Sequence, residues 1–222
     1  MKTSKTTLIP SGLLVAALLL AVVGCKSTGY KKGDQTAEGL QSTAALINGL
    51  PGQIDKALAG LNGLMSQPKG DLKPQFEGFS SDVSSLESSA KSIAAARRAM
   101  GEKSKQFFAK WDEELAKINN EDIKARSADR KEEVQKKLNV VRLSYTQAAQ
   151  DFMPFMKNLQ DVRTALSMDL TSGGVSALKA TADKVAQSAV PLKASAAQLV
   201  ADFKALGVSM SPVAPTPSAS AK

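Results

Sequence analysis

Apolar residues recur along this chain at intervals that alternate between three and four, the repeat of helices packed lengthwise at a shallow angle. The clearest run is Val175, Leu178, Ala182, Val185, Ala189, Leu192, Ala196, Leu199, Phe203 and Leu206. Val134, Leu138, Val141, Tyr145, Ala148, Phe152, Phe155, Leu159, Val162 and Leu166 form an equally regular one. A third run follows Val83, Leu86, Ala90, Ile93, Arg97, Met100, Ser104, Phe107, Trp111, Leu115 and Ile118, with Arg97 and Ser104 as polar interruptions. The earliest in the chain (Leu40, Ala44, Ile47, Leu50, Ile54, Leu58, Leu61, Met65) is weaker, because Pro51-Gly52 breaks it and four glycines lower its helical preference. No stretch alternates with period two between hairpin turns, so the pattern predicts an all-α chain.

Turn residues separate the runs into four helices. Gln67-Pro68-Lys69-Gly70 ends the first, with Asp71 placed to cap the second and Pro74 in its first turn. Asn119-Asn120 makes the next turn, and Glu121 and Asp122 then suit the start of a helix. The last turn is Asp169-Leu170-Thr171-Ser172-Gly173-Gly174, with Thr171 or Ser172 as cap. Loops this short join antiparallel neighbours, so the expected fold is an elongated, antiparallel, coiled-coil-like four-helix bundle over residues 34–206. Pro154 and Pro191 fall inside the third and fourth helices and are expected to kink them. The middle helices, at about 45 residues, would reach nearly 70 Å against about 50 Å for the outer pair. A central hairpin around Asn119-Asn120 should then project by about 20 Å, and charges crowd residues 97–137 as a narrow seam requires.

The two ends read differently. Lys2 and Lys5 precede an apolar run at residues 13–23, too short for a span of about 20 residues and suited to a secretory signal. It closes on Val22-Val23-Gly24-Cys25, the form of a bacterial lipobox. Small side chains fit a narrow peptidase site, and the Cys25 thiol would take a diacylglyceryl thioether, with a palmitate-type acyl group on its amine. Residues 1–24 are therefore expected to be a lipoprotein signal peptide. Lys26 in place of Asp points to the outer membrane, facing the periplasm. Residues 25–33 read as the lipidated cysteine and a linker, and the Pro/Ser/Ala-rich residues 207–222 as a disordered tail.

Composition narrows the chemistry. The 222 residues include no histidine and a single cysteine, which excludes histidine-based acid/base chemistry and any disulfide within the chain. The 29 basic and 21 acidic side chains become 27 and 21 once residues 1–24 are removed, a net charge of +6. No cofactor or metal-ligand spacing occurs, and neither does a phosphate loop or nucleophile elbow.

The third helix and the turn after it resemble a bacterial family of proposed envelope lipoproteins, domain of unknown function 2959. Phe152, Pro154, Phe155, Leu159, Asp161, Val162, Leu166, Asp169-Leu170-Thr171 and Gly174-Val175 carry the resemblance, with Phe107, Trp111, Leu115 and Ile118 adding to it. The dense motif spans residues 152–175. The resemblance implies a coiled-coil-rich lipoprotein and brings no activity or ligand.

Few side chains compete for a functional role. Phe107, Phe108 and Trp111 would offer a partner contact on the hairpin; seam spacing favours Phe107 and Trp111 as filling, which leaves Phe108, one position off the seam, as the exposed candidate. Asp161 and Asp169 are over two turns apart, too far to share an ion alone, and local pairing of Asp161 with Arg163 or Lys157 is the expectation. Ten basic residues between Lys103 and Lys137 are interleaved with acids, so a surface laced with ion pairs is expected and nucleic acid is not. Arg97 on a seam would fix register with an acid across the bundle or reach back to water. Gly173-Gly174 offers bare amides to an anion, a weak signal.

These readings predict a non-enzymatic, membrane-anchored lipoprotein of the periplasm. It would hold the bilayer through acylated Cys25 and serve as a helical scaffold or docking module for an unidentified envelope protein. The alternative is a binding module for an anionic envelope polymer, lipopolysaccharide or peptidoglycan.

Overall fold

The computed structural model describes residues 29–66 and 70–211. These form six helices: α1 (Gly29–Asn48), α2 (Leu50–Ser66), α3 (Lys73–Leu115), α4 (Glu121–Met168), α5 (Ser172–Ala177) and α6 (Lys179–Met210). No strand occurs among the described residues. The signal peptide at residues 1–24, Cys25, residues 26–28 and the tail from 212 to 222 lie outside them.

The four apolar stripes fold onto one another as an antiparallel bundle. Helices α1 and α2 together make the first long element, and α5 and α6 the last. Around the square, α1–α2 adjoin α3 and α6, while α4 adjoins α3 and α6; α3 and α6 stand on one diagonal, α1–α2 and α4 on the other. The α6 stripe is buried at every seam position from Ala182 to Leu206, and Phe79, Phe155 and Phe203 are the largest fully enclosed side chains. The α4–α6 contact is reinforced by hydroxyl donors: Ser144 bonds Asp202, and Ser195 bonds Asp151. Lys193 of α6 reaches Asp55 of α2 at 2.8 Å. No helix among the described residues is long and apolar enough to cross a membrane.

Residues 67–69 of the first expected turn lie outside the described residues; the other expected turns are present, with local chemistry that explains them. Asn120 caps α4 by accepting from the Ile123 amide at 3.1 Å. Thr171 caps α5 by accepting from the Gly174 amide at 3.1 Å. Asp71 accepts from the Lys73 amide just ahead of α3, and Pro74 sits in the first turn of that helix, where no amide hydrogen is needed. Gly70 turns the chain into α3 with φ 81°, a conformation that costs glycine little. Pro154 and Pro191 are carried inside α4 and α6.

Several boundaries differ from expectation. The first helix breaks at Gly49, two residues before Pro51, and the last at Leu178, so each outer element is two helices. The linker boundary at residue 33 and the tail boundary at 207 are corrected outward, since α1 starts at Gly29 and α6 runs to Met210. Packing explains both: a Cβ on Gly33 would stand 3.1 Å from the Phe107 ring, and Gly207 is buried against α1 near Ala37 and Leu40. The longer outer elements shorten the projection of the hairpin. Gly33 meets Phe107, and Arg130 donates to the Ser209 carbonyl at 2.7 Å, so only about 10 Å of α3 and α4 stands clear, not 20 Å.

The turn before α5 supplies a test. A Cβ on Gly174 would lie 2.3 Å from the Asp169 carbonyl oxygen, a backbone atom that cannot step aside without opening the turn. Gly174→Ala should destabilise the bundle by about 2 kcal/mol, lowering the melting temperature by roughly 4–8 °C in thermal circular dichroism. An unchanged midpoint would mean the turn is not packed this tightly.

Candidate functional site

The bundle is not closed evenly. Helices α3 and α4 adjoin each other more loosely than any other pair of long neighbours. Their seams show where: Ala90 on α3 and Tyr145, Ala148 and Phe152 on α4 occupy stripe positions yet remain only partly covered. Small side chains at Ala90, Ala94, Ala148 and Ala149 cannot span the gap. What remains is a cleft of ≈ 380 Å³ that passes between the two helices to Ile47, Leu50, Leu192 and Leu199 at the centre of the bundle.

Polar clasps bound the cleft at both ends. On one side Glu87 of α3 accepts from Gln160 and from the Arg163 guanidinium of α4, each at 2.9 Å. The Gln160 hydrogen bond, followed by the charge of Arg163, holds the Glu87 carboxyl below the usual carboxylate range against the opposing pull of burial. On the other side the Arg97 guanidinium lies over the Tyr145 ring, 4.5 Å from its centroid. Arg97 therefore finds an aromatic face instead of an acid, while its head stays exposed. Arg163 reaches Glu87 across the bundle and does not pair with Asp161, because residues two apart on a helix do not face each other. Asp161 is exposed, and Asp169 caps the end of α4 and accepts from the Thr171 hydroxyl.

The aromatic group sits at the hairpin end. Phe107 is buried, and its ring meets Phe108 and Trp111 edge-on, each with centroids 5.3 Å apart. The Trp111 indole donates to Ser127 of α4 at 3.0 Å. Phe108, expected to be exposed, is half-buried and packs on the core; with α1 on one side of α3 and α4 on the other, the buried stripe is wider than a two-helix seam. Phe107 and Trp111 also line a second cavity of ≈ 330 Å³ with Tyr30, Val134 and Met210. Sequence reasoning missed both cavities. Partial burial of seam residues is a packing outcome, and only the alanine excess on α3 and α4 hinted at it.

Charges elsewhere on the hairpin neutralise one another. Lys110 pairs with Glu113 and Glu114, Lys117 with Glu114, Lys136 with Glu132, and Lys131 crosses to Asp112. Hydrogen bonds from Lys110 and then Lys117 lower the Glu114 carboxyl to about 2. Gly174 spends its amide on Thr171, so the glycine pair offers no open anion cradle there. Among the described residues no group of three or more acidic or sulfur side chains is placed to hold a metal ion.

Comparison with known proteins bears on identity. The family described as "Protein of unknown function (DUF2959)" matches residues 24–205, most of the chain. The chain belongs to DUF2959. No curated protein and no solved structure matches it. The matched span contains α1 to α5 and nearly all of α6, so the DUF2959 chain carries its cleft and its clasps within the family region, while the aromatic end pocket extends past it to Met210.

The Glu87 clasp has a defined pH signature. Its folded pKa lies below the ordinary value of 4.5, so its contribution is complete above 4.5 and fades as pH falls through the lower folded value. Glu87→Gln should cost about 1–2 kcal/mol at pH 7 and progressively less as the solution is acidified below pH 4.5, in urea unfolding followed at each pH. Parallel loss of stability in both proteins at every pH would show that the clasp is not what titrates.

Proposed function

We propose that this chain is a non-enzymatic lipoprotein of the outer membrane, facing the periplasm, whose helical rod docks an envelope partner. The observation that carries this reading is the position of Cys25. It closes a lipobox-like motif and stands four residues before α1 begins, a reach of at most about 14 Å. Acyl chains on Cys25 would hold the α1 end of the rod at the bilayer, with some 70 Å of helix leading away from it.

This geometry gives the ends of the rod distinct surroundings. The hairpin turn, Tyr30 and the pocket lined by Phe107 and Trp111 belong to the anchored end. The turns around Gly70 and Thr171 belong to the far end. A partner contacting Phe107, Phe108 or Trp111 would therefore be a component close to the membrane surface, with exposed Tyr30 beside it. Binding of an anionic polymer is the weaker reading, because ion pairs along the hairpin lower the field such a polymer would meet. Without histidine, and with its one thiol committed to acylation, the chain has few means of nucleophilic catalysis.

Metabolic labelling with palmitate tests the anchor. The native chain should take up label and sediment with outer membranes, while Cys25→Ser should do neither; an unlabelled native chain overturns the proposal. For docking, a photo-crosslinker at Tyr30 should capture one defined envelope protein in cells, and Phe108→Ala should reduce that capture several-fold while its circular dichroism at the assay temperature remains that of the folded bundle. Unchanged capture with Phe108→Ala removes the aromatic end as the docking site.

A further inference from the structure

We infer that the cleft between α3 and α4 is a binding site for a single-chain amphiphile with an anionic head, such as a fatty acid or a lysophospholipid. The inference does not depend on acylation of Cys25 or on docking at the aromatic end.

Size and lining argue for an apolar chain. The ≈ 380 Å³ volume falls in the range of ligand pockets, which run from about 300 to 1,000 Å³ and are mostly apolar with few polar groups. Its deep wall is Ile47, Leu50, Leu192 and Leu199, and its mouth is framed by Phe152 and the exposed Met153. Lys91 is the one charged residue in the lining.

Shape argues against a protein helix as occupant. Along α3 the opening is bounded by Glu87 and Arg97, ten residues or about 15 Å apart, and both ends are bridged to α4. A helix about 10 Å wide would have to break a clasp to enter. A narrow flexible chain need not.

Charge at the mouth selects the head group. Lys91 makes no hydrogen bond or close ion pair among the described residues, although its charge is felt by Glu87 one turn before it; the side chains of Arg98 and Arg142 make none either, and Arg97 lies over the Tyr145 ring. Arg97, Arg98 and Arg142 gather in a recess just beyond the Arg97–Tyr145 clasp, where the nearby acid, Glu102, is already paired with Lys105. At the opposite end Glu87 is held by Gln160 and Arg163. Lys91 at the mouth of the apolar slot, with Arg97, Arg98 and Arg142 in the recess beside it, thus forms a cationic margin to which no carboxylate is hydrogen-bonded. A carboxylate or phosphate at the mouth, with its alkyl chain directed between Phe152 and Ile93, satisfies both features.

The test uses the full chain carrying Cys25→Ser, so that no attached acyl group competes. Photoreactive palmitate is crosslinked and the labelled peptides are mapped by mass spectrometry. Label should fall on the segments around residues 90–97 and 145–153. Ala148→Phe, which fills the cleft, should abolish labelling there, and Ala94→Leu serves if the first variant melts early. Lys91→Glu should weaken palmitate binding at least about fivefold and leave the corresponding neutral alcohol unaffected. Competition by palmitate and by lysophosphatidylglycerol separates a carboxylate from a phosphate head. Label confined to other segments, labelling that survives both filled variants, or equal binding of acid and alcohol by native and Lys91→Glu proteins overturns the inference.

Discussion

Burial of four apolar stripes against one another is the constraint from which the rest of this molecule follows. Each long helix exposes most of its circumference to water, and tertiary packing of a single face holds it in place. The α6 stripe is the most complete: from Ala182 to Leu206 it stays enclosed while touching α1, α2 and α4. Around that column the other helices are arranged, and α3, diagonally opposite, is held through its two neighbours. The least constrained face is consequently the one between α3 and α4, on the side of the bundle away from α6.

Most of the architecture was legible because it depends on local periodicity. Nine of the ten seam residues read in the α6 region are buried, Leu178 being the partly covered exception, and the Asn120 and Thr171 caps follow from side chains that can accept from amides two or three residues ahead. What stayed hidden depends on contacts between elements. Gly33 and Gly207 look like linker residues, yet Gly33 is the small position against which the Phe107 ring packs, and Gly207 is buried against α1. Phe108 looks exposed on a two-helix seam, and the presence of α1 beside α3 changes that. The partner of Arg163 lies 76 residues away on α3, beyond the reach of any local rule.

The same distinction separates the two functional readings. Membrane attachment rests on a short motif ahead of the fold and on the distance from Cys25 to α1. Ligand binding rests on a defect in the packing: alanines where larger side chains would close the gap, two clasps that bridge α3 and α4 at its ends, and a cationic margin beside it. Pro154, Pro191 and the Gly49 break fall near the same level of the rod, so departures from regular helix and from full packing coincide. The proposed lipid tether and the proposed amphiphile slot along the flank of the rod are compatible, and each stands on its own observations.

Hydrogen–deuterium exchange read at single-residue resolution tests the packing account most directly. Amides of α6 across residues 182–206 should exchange slowest, with protection on α3 and α4 dipping near residues 90–97 and 145–153 and recovering beyond both clasps. Uniform protection along α3 and α4, or early exchange of α6, would contradict a bundle built around α6 and left open on the opposite face.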